Sequence, residues 1–247
     1  MTTWSSLINK LKKKYSLHPE VVRVMISNER NQYHPYPPPN INNDHAHLVY
    51  SHNKQTMSAP HIHASALNIM YDRFLEYSKG KKISGNFTFN VLDVGCGTGY
   101  VLACMASLIK IGHHKSIAVG IDIYKSLTNL TIKNISNKFN KIYHKKFVIE
   151  CGNGWEGNVD NAPFQFIHVG AMADEIPVKL IEQLALNGKM IVPVNNKYLL
   201  ITKLKNKQFK IENLYGVRFV KLINLANIKK QKALFNDESK ILCVNDL

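Results

Sequence analysis

The stretch Val91–Tyr100, which reads VLDVGCGTGY, decides the fold of this chain. Its first four residues are apolar apart from one acid and predict a short buried strand, and Tyr100–Ile109 predicts an apolar helix. Three glycines at alternate positions separate these elements: Gly95, Gly97 and Gly99. Glycine lets the backbone turn tightly and approach a ligand closely. A strand, a glycine turn and a helix in this order predict the ligand-cradling unit of a doubly wound α/β sheet.

The glycine spacing also indicates the kind of ligand. The pattern G-x-G-x-G lacks the sixth-position glycine of the dinucleotide fingerprint. Asp93 lies two residues before the first glycine, and an acid at a strand end suits the cationic sulfonium and ammonium groups of S-adenosylmethionine. That cofactor carries no pyrophosphate, so it does not need a phosphate-binding turn. The spacing favours S-adenosylmethionine over a nicotinamide dinucleotide, and a tight turn without any ligand remains an alternative.

Length and composition predict a single α/β domain over residues 1–247. The 247 residues are 45% hydrophobic and 20% charged, which is typical of a globular protein. No apolar run approaches the roughly 18 residues of a membrane helix. The Lys-rich residues 1–16 lack the apolar centre of a signal peptide. We therefore expect a soluble, cytoplasmic protein without a membrane partner.

The net charge of +15 and the pI near 9.6 would suit a nucleic-acid partner. However, the lysines are scattered or in short runs, and they do not alternate with aromatic residues as in single-strand binding surfaces. A drift toward Lys and Asn, as AT-rich coding sequence would give, explains the charge at least as well. We therefore expect no nucleic-acid partner.

The region before the glycine turn predicts two helices and a long loop. Trp4–Tyr15 and Leu17–Glu29 carry apolar residues at helical spacing, and we expect them to pack on the sheet. Residues Asn31–Asn53 hold prolines, asparagines and histidines without any period, which predicts a loop. These histidines have no carboxylate or cysteine cluster beside them, and the four cysteines of the chain lack metal-ligand spacing. We therefore expect no metal.

The segment Gln55–Ala64, QTMSAPHIHA, precedes an apolar helical pattern. Ser58 lies where a helix N-cap is expected, and Pro60 suits a first helical turn. A structural cap is therefore one interpretation of Ser58. A functional role is the other, because a free helix N-terminus beside a hydroxyl is suited to bind a carboxylate.

The rest of the chain alternates strands and helices in the manner of a βαβ series. We predict parallel strands at Ser116–Asp122, Lys145–Glu150, Phe164–Val169 and Met190–Val194, and helices at Leu127–Phe139 and Val178–Leu186. We predict antiparallel strands at Tyr198–Lys203, Phe209–Leu214 and Val217–Leu222. Asp122 ends the second strand, where an acid can accept hydrogen bonds from both ribose hydroxyls of an adenosyl group; a helix cap is the alternative. The Asn153-Gly154 turn follows the third strand and can offer an amide to an adenine edge.

Together these stretches resemble the protein-L-isoaspartate O-methyltransferase family from about Leu7 to Leu222. The most specific marker is Thr56–Ala64, TMSAPHIHA, which is similar to the family block T-[IV]-S-[AQ]-P-x-[MI]-[VH]-A. Supporting stretches are VLDVGCGTGY, the GID at Gly120–Asp122, FIHVGAMADEIPVKLIEQL at Phe166–Leu184 and NGKMIVPV at Asn187–Val194. The resemblance implies a Rossmann-like S-adenosylmethionine-dependent methyltransferase sheet with N-terminal helices and antiparallel C-terminal strands.

The resemblance also implies an activity: methyl transfer from S-adenosylmethionine to the free carboxylate of L-isoaspartyl residues in damaged proteins and peptides. The products are S-adenosylhomocysteine and a methyl ester, and the ester starts repair by cyclising to a succinimide. A carboxylate is ionised at pH 7, so no strong base is required. Ser58 is carried over as the catalytic residue, which orients the carboxylate. The implied cofactor-binding residues are Gln55, Thr56, Met57, Ser58, His63, Asp93, Gly95, Gly97, Thr98, Gly99, Asp122, Ile123, Asn153 and Gly154.

Three positions depart from the family pattern. Asn153 stands where the family has an aspartate, which keeps an acceptor for the adenine amino group but loses a charge. Ile223 replaces a threonine near the cofactor, and Gln55 replaces a small residue. Within the single domain we place N-terminal helices and a substrate loop at 1–58, the core at 59–226 and a basic tail at 227–247. We expect a monomer.

Three alternative functions remain open. A methyltransferase acting on RNA or another nucleic acid would explain the charge, but it would usually carry an N-P-P-[YF] or acidic motif where this chain has Gly170–Ala173, GAMA. A nicotinamide-dependent oxidoreductase would need the missing sixth-position glycine. A cofactor-binding protein without activity is the third.

Overall fold

The computed structural model of the chain describes residues 3–50, 55–206 and 208–224. The basic tail predicted at 227–247 lies outside the described residues, as do the last three residues of the predicted Asn31–Asn53 loop.

Helices and strands alternate along most of the described chain. The α-helices are α1 Trp4–Tyr15, α2 Pro19–Ser27, α3 Pro60–Ser78, α4 Tyr100–Leu108, α5 Lys125–Phe139, α6 Tyr143–Lys146 and α7 Val178–Glu182. The strands are β1 His47–Tyr50, β2 Gln55–Met57, β3 Val91–Val94, β4 Ala118–Asp122, β5 Phe147–Cys151, β6 Phe164–Val169, β7 Leu184–Val194, β8 Lys197–Lys203 and β9 Phe209–Gly216. Short 3-10 turns lie at Arg30–Tyr33, Ile111–His113 and Val159–Asn161.

The main sheet has seven strands in the order β5-β4-β3-β6-β7-β8-β9. The first five strands of that order pair in parallel, and β8 and β9 add antiparallel at one end. The chain leaves β3 for β4 on one side and returns to β6 on the other. This reversal is the point at which doubly wound sheets bind their ligands, at the carboxyl ends of the strands. The predicted α/β class is therefore confirmed.

Strand β3 lies at the centre of the fold and is buried at all four residues. Its side chains alternate between two apolar layers: Val91 faces the layer that contains the N-terminal helices, and Leu92 and Val94 face the opposite one. A central parallel strand is covered on both faces, which is why its sequence is an apolar run and why a single acid within it is conspicuous.

The two N-terminal helices pack against α3 and α4. Trp4, Leu7, Ile8 and Leu11 form the buried stripe of α1, as the helical spacing predicts. The indole Nε1 of Trp4 donates to the carbonyl oxygen of Met25 in α2 at 2.6 Å, which fastens the helical pair. The helices thus thicken one apolar layer of the sheet.

Two predicted elements near the C-terminus are wrong. The helix expected at Val178–Leu186 ends at Glu182, because β7 already begins at Leu184 beside Phe164. The register then shifts so that Phe166 pairs with Lys189, and the turn-like Asn187-Gly188 lies inside a bulge of β7. The strand expected at Val217–Leu222 is also absent among the described residues, and this segment instead crosses the carboxyl edge of the sheet.

Two predicted loop and strand bounds are also corrected. The expected loop Asn31–Asn53 contains β1, which pairs antiparallel with β2 in a separate two-stranded sheet. The third parallel strand begins at Phe147 rather than Lys145, because Tyr143–Lys146 forms a helical turn first. Tertiary pairing decides both bounds, and a local pattern carries little of that information.

Candidate functional site

A cleft lies at the carboxyl edge of the main sheet, where the sheet topology predicts a ligand. Its lining includes most residues that the family resemblance implies: Gln55, Thr56, Met57, Ser58, His63, Asp93, Gly95, Gly97, Thr98, Asp122, Ile123 and Gly154. Further lining comes from Tyr124, His168, Gly170, Ala171 and the crossing segment Val220–Ile223. Gly99 and Asn153 do not line the cleft.

The glycine turn after β3 builds the floor of this cleft. Gly95 and Gly97 have φ values of 72° and 57°, a left-handed backbone region that other residues rarely adopt. The amides of Gly95 and Cys96 donate to the carbonyl of Ile121 at 2.8 and 3.0 Å, which ties the turn to the end of β4. The floor is therefore fixed by backbone geometry.

Asp122 ends β4, and its carboxylate organises the turn from beside it. Its Oδ2 accepts from the amide of Gly97 at 2.9 Å, and its Oδ1 accepts from the amide of Tyr124 at 3.0 Å. Burial raises the pKa of Asp122 to about 6, although the two backbone amides oppose the rise. Each carboxylate oxygen retains a second lone pair, so the group can still accept from two ligand hydroxyls.

The carboxylate does not cap α5, whose N-cap residue Tyr124 makes no side-chain capping hydrogen bond. It accepts from the amide of Tyr124, the residue before α5, and it faces the cleft.

A buried acid–histidine pair forms one wall of the cleft. Asp93 in β3 and His168 in β6 are paired in register, and Asp93 Oδ1 lies 2.7 Å from His168 Nδ1. Their outer atoms, Asp93 Oδ2 and His168 Nε2, are buried without a partner among the described residues. Buried polar atoms are almost always satisfied, so this pair presents two open positions to a polar ligand group.

His168 was not predicted as a site residue, although it lies in a stretch that carries the family resemblance. The available sequence signal is a histidine inside a mostly apolar strand, FQFIHV. Placing this histidine beside Asp93 requires the register between β3 and β6, which the local sequence does not contain.

His63 lies on α3 and faces the same cleft. Burial, together with the nearby Arg30 and His168, holds the pKa of His63 well below its usual range. Its ring packs on that of Tyr100 with centroids 5.0 Å apart, and its Nδ1 is buried without a partner among the described residues. His63 is therefore neutral at pH 7 and has an open ring nitrogen.

Ser58 does not cap α3. The N-cap is Ala59, whose side chain makes no capping hydrogen bond, so the structural interpretation of Ser58 is wrong. The expectation of a free helix N-terminus is also wrong. The amide of His61 donates to Asp44 Oδ1 at 2.9 Å, and the amides of Ile62 and His63 donate to the carbonyl of Ala59. Asp44, on the preceding loop, thus occupies the position that the sequence assigned to a ligand carboxylate.

Ser58 instead lies between two clefts. It lines the cleft at the carboxyl edge of the sheet and also a second cleft. The second cleft is bounded by Tyr15, His61, Tyr215 and the segment Gly216–Val220, which includes Arg218. No Asp or Glu is among its described lining residues. Thr56 and Val220 also face both clefts, so the two spaces meet at Ser58.

Two predicted cofactor residues have structural contacts instead of a place in the lining. Asn153 Oδ1 accepts from the amide of Trp155 at 3.2 Å and so stabilises its own turn. A Cβ added to Gly99 would lie 3.0 Å from Thr131 Cγ2, so this glycine lets α4 approach α5. The neighbouring Gly154 does line the cleft, and an added Cβ there would lie 2.6 Å from Val94 Cγ1.

The crossing segment closes the cleft on the side of β6. The amide of Met172 donates to the carbonyl of Val220 and the amide of Leu222 donates to the carbonyl of Met172, both at 2.7 Å. The indole of Trp155 donates to the carbonyl of Leu222 at 3.2 Å. Ile223, one of the positions that depart from the family pattern, follows in the lining.

The donor set of the cleft fits S-adenosylmethionine. Asp122 supplies acceptors suited to ribose hydroxyls, and the open atoms of Asp93, His168 and His63 are suited to the amino acid end of that molecule. In the part of the chain that the structure describes, no cluster of three His, Cys, Asp or Glu side chains is placed to hold a metal ion. Within that part, no helix has both the length and the apolar character to cross a membrane.

Comparisons with known proteins agree with this geometry. A family model described as protein-L-isoaspartate(D-aspartate) O-methyltransferase matches residues 2–227. Protein-L-isoaspartate O-methyltransferase 2 of Arabidopsis thaliana is 33% identical over 172 residues, which are 68% of this chain and 51% of that protein. The protein-L-isoaspartate O-methyltransferase of Shewanella frigidimarina (strain NCIMB 400) is 29% identical over 234 residues, 90% of this chain and 95% of that protein. This chain thus spans about half of the first relative and nearly all of the second.

Among solved structures, a protein-L-isoaspartate O-methyltransferase from Plasmodium falciparum in complex with S-adenosyl-L-homocysteine superposes with a TM-score of 0.75. It is 28% identical, and the alignment covers 90% of this chain and 99% of that one. The family match over nearly the whole chain, the relatives and the shared fold lead to one conclusion. The chain belongs to the protein-L-isoaspartate(D-aspartate) O-methyltransferase family.

Proposed function

We propose that this protein transfers a methyl group from S-adenosylmethionine to the free carboxylate of L-isoaspartyl residues in damaged proteins and peptides. The observation that carries the proposal is the position of Ser58 between the two clefts. One cleft has the donor set of a cofactor site, and the other is lined by Arg218 and by no Asp or Glu among its described residues. A methyl donor and a carboxylate acceptor would then meet beside one hydroxyl.

The chemistry requires little from the protein beyond alignment. S-adenosylmethionine supplies an activated methyl group when bound. The acceptor carboxylate is already ionised at pH 7, so the chain needs no general base. Holding two reactants in line can lower a barrier by roughly 7–11 kcal/mol. Ser58 donates a hydrogen bond from its hydroxyl to the acceptor carboxylate and so orients it. The positive charge of Arg218 in the second cleft favours an anionic acceptor.

The proposed cofactor residues divide by the part of the ligand that they suit. Asp122 and the residues after β4 and β5 surround the adenosyl end, whereas Asp93, His63 and the glycine turn surround the methionine end. Asn153 and Gly99 act indirectly in this proposal, because they shape the turns that hold Gly154 and α4.

The test is methyl transfer from labelled S-adenosylmethionine to an isoaspartyl peptide, with its normal aspartyl twin as the negative control. We expect a base-labile methyl ester on the isoaspartyl peptide alone. Ser58→Ala removes a hydrogen bond to a charged group, so kcat/KM should fall roughly 10- to 150-fold. Ser78→Ala, at the far end of α3, is the matched control and should leave kcat/KM unchanged. Equal transfer to both peptides, or none to either despite cofactor binding, would refute the proposal.

We propose that the protein is active as a monomer. Light scattering coupled to gel filtration, run on active fractions, tests this. We also propose a cytoplasmic location, on the sequence features given above, and cell fractionation tests it. The proposed domain division, with residues 1–58 carrying the acceptor side, rests on the position of Ser58 at its end.

A further inference from the structure

Arg30 is a completely buried cation beneath the Ser58 segment. Its side chain has 0% exposure and begins the 3-10 turn after α2. Within the described chain, no carboxylate lies within ion-pairing distance of it. Burying a charge without compensation is costly, so the surroundings of Arg30 must satisfy it in another way.

All five N–H groups of the Arg30 guanidinium have acceptors. Its Nε donates to Met57 Sδ at 3.0 Å, and its Nη2 donates to the carbonyls of Met57 and Ser58 at 2.9 and 2.7 Å. Its Nη1 donates to the carbonyls of Ile41 and His45 at 3.1 and 3.0 Å. Arginine has five donors in a fixed plane, and here four of them bind backbone carbonyls and the fifth binds the Met57 sulfur.

The two terminal nitrogens of the Arg30 guanidinium bind two different segments of the chain. Nη2 holds Met57 and Ser58, and Nη1 holds the loop 41–45. This loop also carries Asp44, which accepts from the amide and the Nδ1 of His61 in the first turn of α3. Arg30 therefore joins the Met57–Ser58 segment to the loop 41–45.

Arg30 keeps its charge at neutral pH. Burial lowers the pKa of Arg30 to about 10, which is still well above 7. Lysine would keep a charge but has three donors on a single nitrogen. It cannot hold the carbonyls on both sides with the same planar geometry.

We propose that Arg30 is a positioning residue, which fixes the Ser58 segment against the loop 41–45 so that the Ser58 hydroxyl meets the acceptor. The proposal rests on the proposed function for its kinetic consequence, and its structural part stands on its own. Arg30 lines neither cleft and acts through Ser58, so we do not place it among the catalytic residues.

The experiment compares Arg30→Lys and Arg30→Met with Arg73→Met. Arg73 is the matched control because it is also buried, at 6% exposure, but lies near the end of α3 beside Glu76. Arg30→Lys keeps a charge and a long stem, which guards against a variant that does not fold. Each variant is measured for melting temperature, S-adenosylhomocysteine affinity, kinetics on the isoaspartyl peptide and amide hydrogen exchange.

We expect both Arg30 variants to exchange faster in segments 41–47 and 55–63, with segment 91–100 unchanged. Their kcat/KM should fall roughly 10- to 100-fold, because small misplacements of a reacting pair have effects of that size. Affinity for S-adenosylhomocysteine should fall as well, because segment 55–63 contains the proposed cofactor residues Gln55–Ser58 and His63. Arg73→Met should lower the melting temperature without the exchange change or the kinetic change.

The proposal would be overturned if segments 41–47 and 55–63 of the Arg30 variants exchanged their amide hydrogens at the wild-type rate. An equal loss of kcat/KM in Arg73→Met would also overturn it, since the effect would then follow stability alone. If the wild type does not methylate the isoaspartyl peptide, the proposed function fails. The exchange measurements decide the role of Arg30 in that case as well.

Discussion

The replacement Asp122→Asn tests the buried carboxylate of the cofactor cleft through its dependence on pH. Burial raises the pKa of Asp122 from 3.8 to about 6 in the folded protein. A change of about two units corresponds to about 3 kcal/mol, at 1.36 kcal/mol per unit. The folded carboxyl binds its proton more tightly than the unfolded one. Its stabilising contribution is therefore present below about pH 4 and is lost as the pH rises through about 6.

Asparagine does not titrate, so the difference between the two proteins isolates Asp122. We expect the free energy of unfolding of the wild type, relative to Asp122→Asn, to fall by about 2.5 kcal/mol between pH 4 and pH 7, because the rest of the change lies below pH 4. Urea unfolding at four pH values without ligand measures this. Asp160→Asn, at an exposed position, is the control and should show no such change.

Ligand binding gives an independent readout of the same group. Ionised Asp122 accepts hydrogen bonds better than the protonated form, so S-adenosylhomocysteine affinity of the wild type should fall as the pH drops through about 6. Asp122→Asn should bind more weakly and without this pH dependence. A flat stability difference from pH 4 to pH 7, or equal pH profiles of binding, would refute the account of Asp122.

The remaining predictions concern a glycine and a buried pair. Gly154→Ala should destabilise the protein by about 1–3 kcal/mol, because its Cβ would lie 2.6 Å from Val94 Cγ1 and 3.2 Å from Leu222 Cδ1. Gly152→Ala, whose nearest atom would be 3.9 Å away, should be close to neutral in the same urea titration; equal effects would contradict the packing argument. His168→Ala leaves Asp93 buried without its 2.7 Å partner and should cost about 3–5 kcal/mol. The double variant Asp93→Ala/His168→Ala should recover part of that loss, since no buried charge remains, and a double variant no more stable than His168→Ala would count against this.

The parts of the fold that the sequence predicts well are those with a strong local signal. Phe164–Val169 has the predicted bounds because six consecutive buried residues are bracketed by a proline and a glycine. The bounds of α1 also match, since its apolar residues recur at helical spacing. In both cases the pattern that identifies the element is also the pattern that buries it.

The errors occur where distant strands decide the local structure. The bulge in β7 is set by pairing with β6, and the path of Val217–Leu222 is set by the hydrogen bonds of Met172. The same holds for the site: the glycine turn and Asp122 are visible in sequence, but the contact of Asp93 with His168 depends on strand register. Asp44, which accepts a hydrogen bond from the first turn of α3, lies 17 residues before His61 in a segment without a periodic sequence pattern.

The two-stranded sheet of β1 and β2 shares no strand with the seven-stranded sheet. Ser58 follows the small sheet, whereas the glycine turn and Asp122 belong to the large one. Because the two sheets are hydrogen-bonded separately, substitutions around Ser58 leave the backbone ladder beneath the cofactor cleft in place. Such an arrangement allows side chains near Ser58 that face the acceptor to change while the glycine turn and Asp122, on the other sheet, are inherited unchanged.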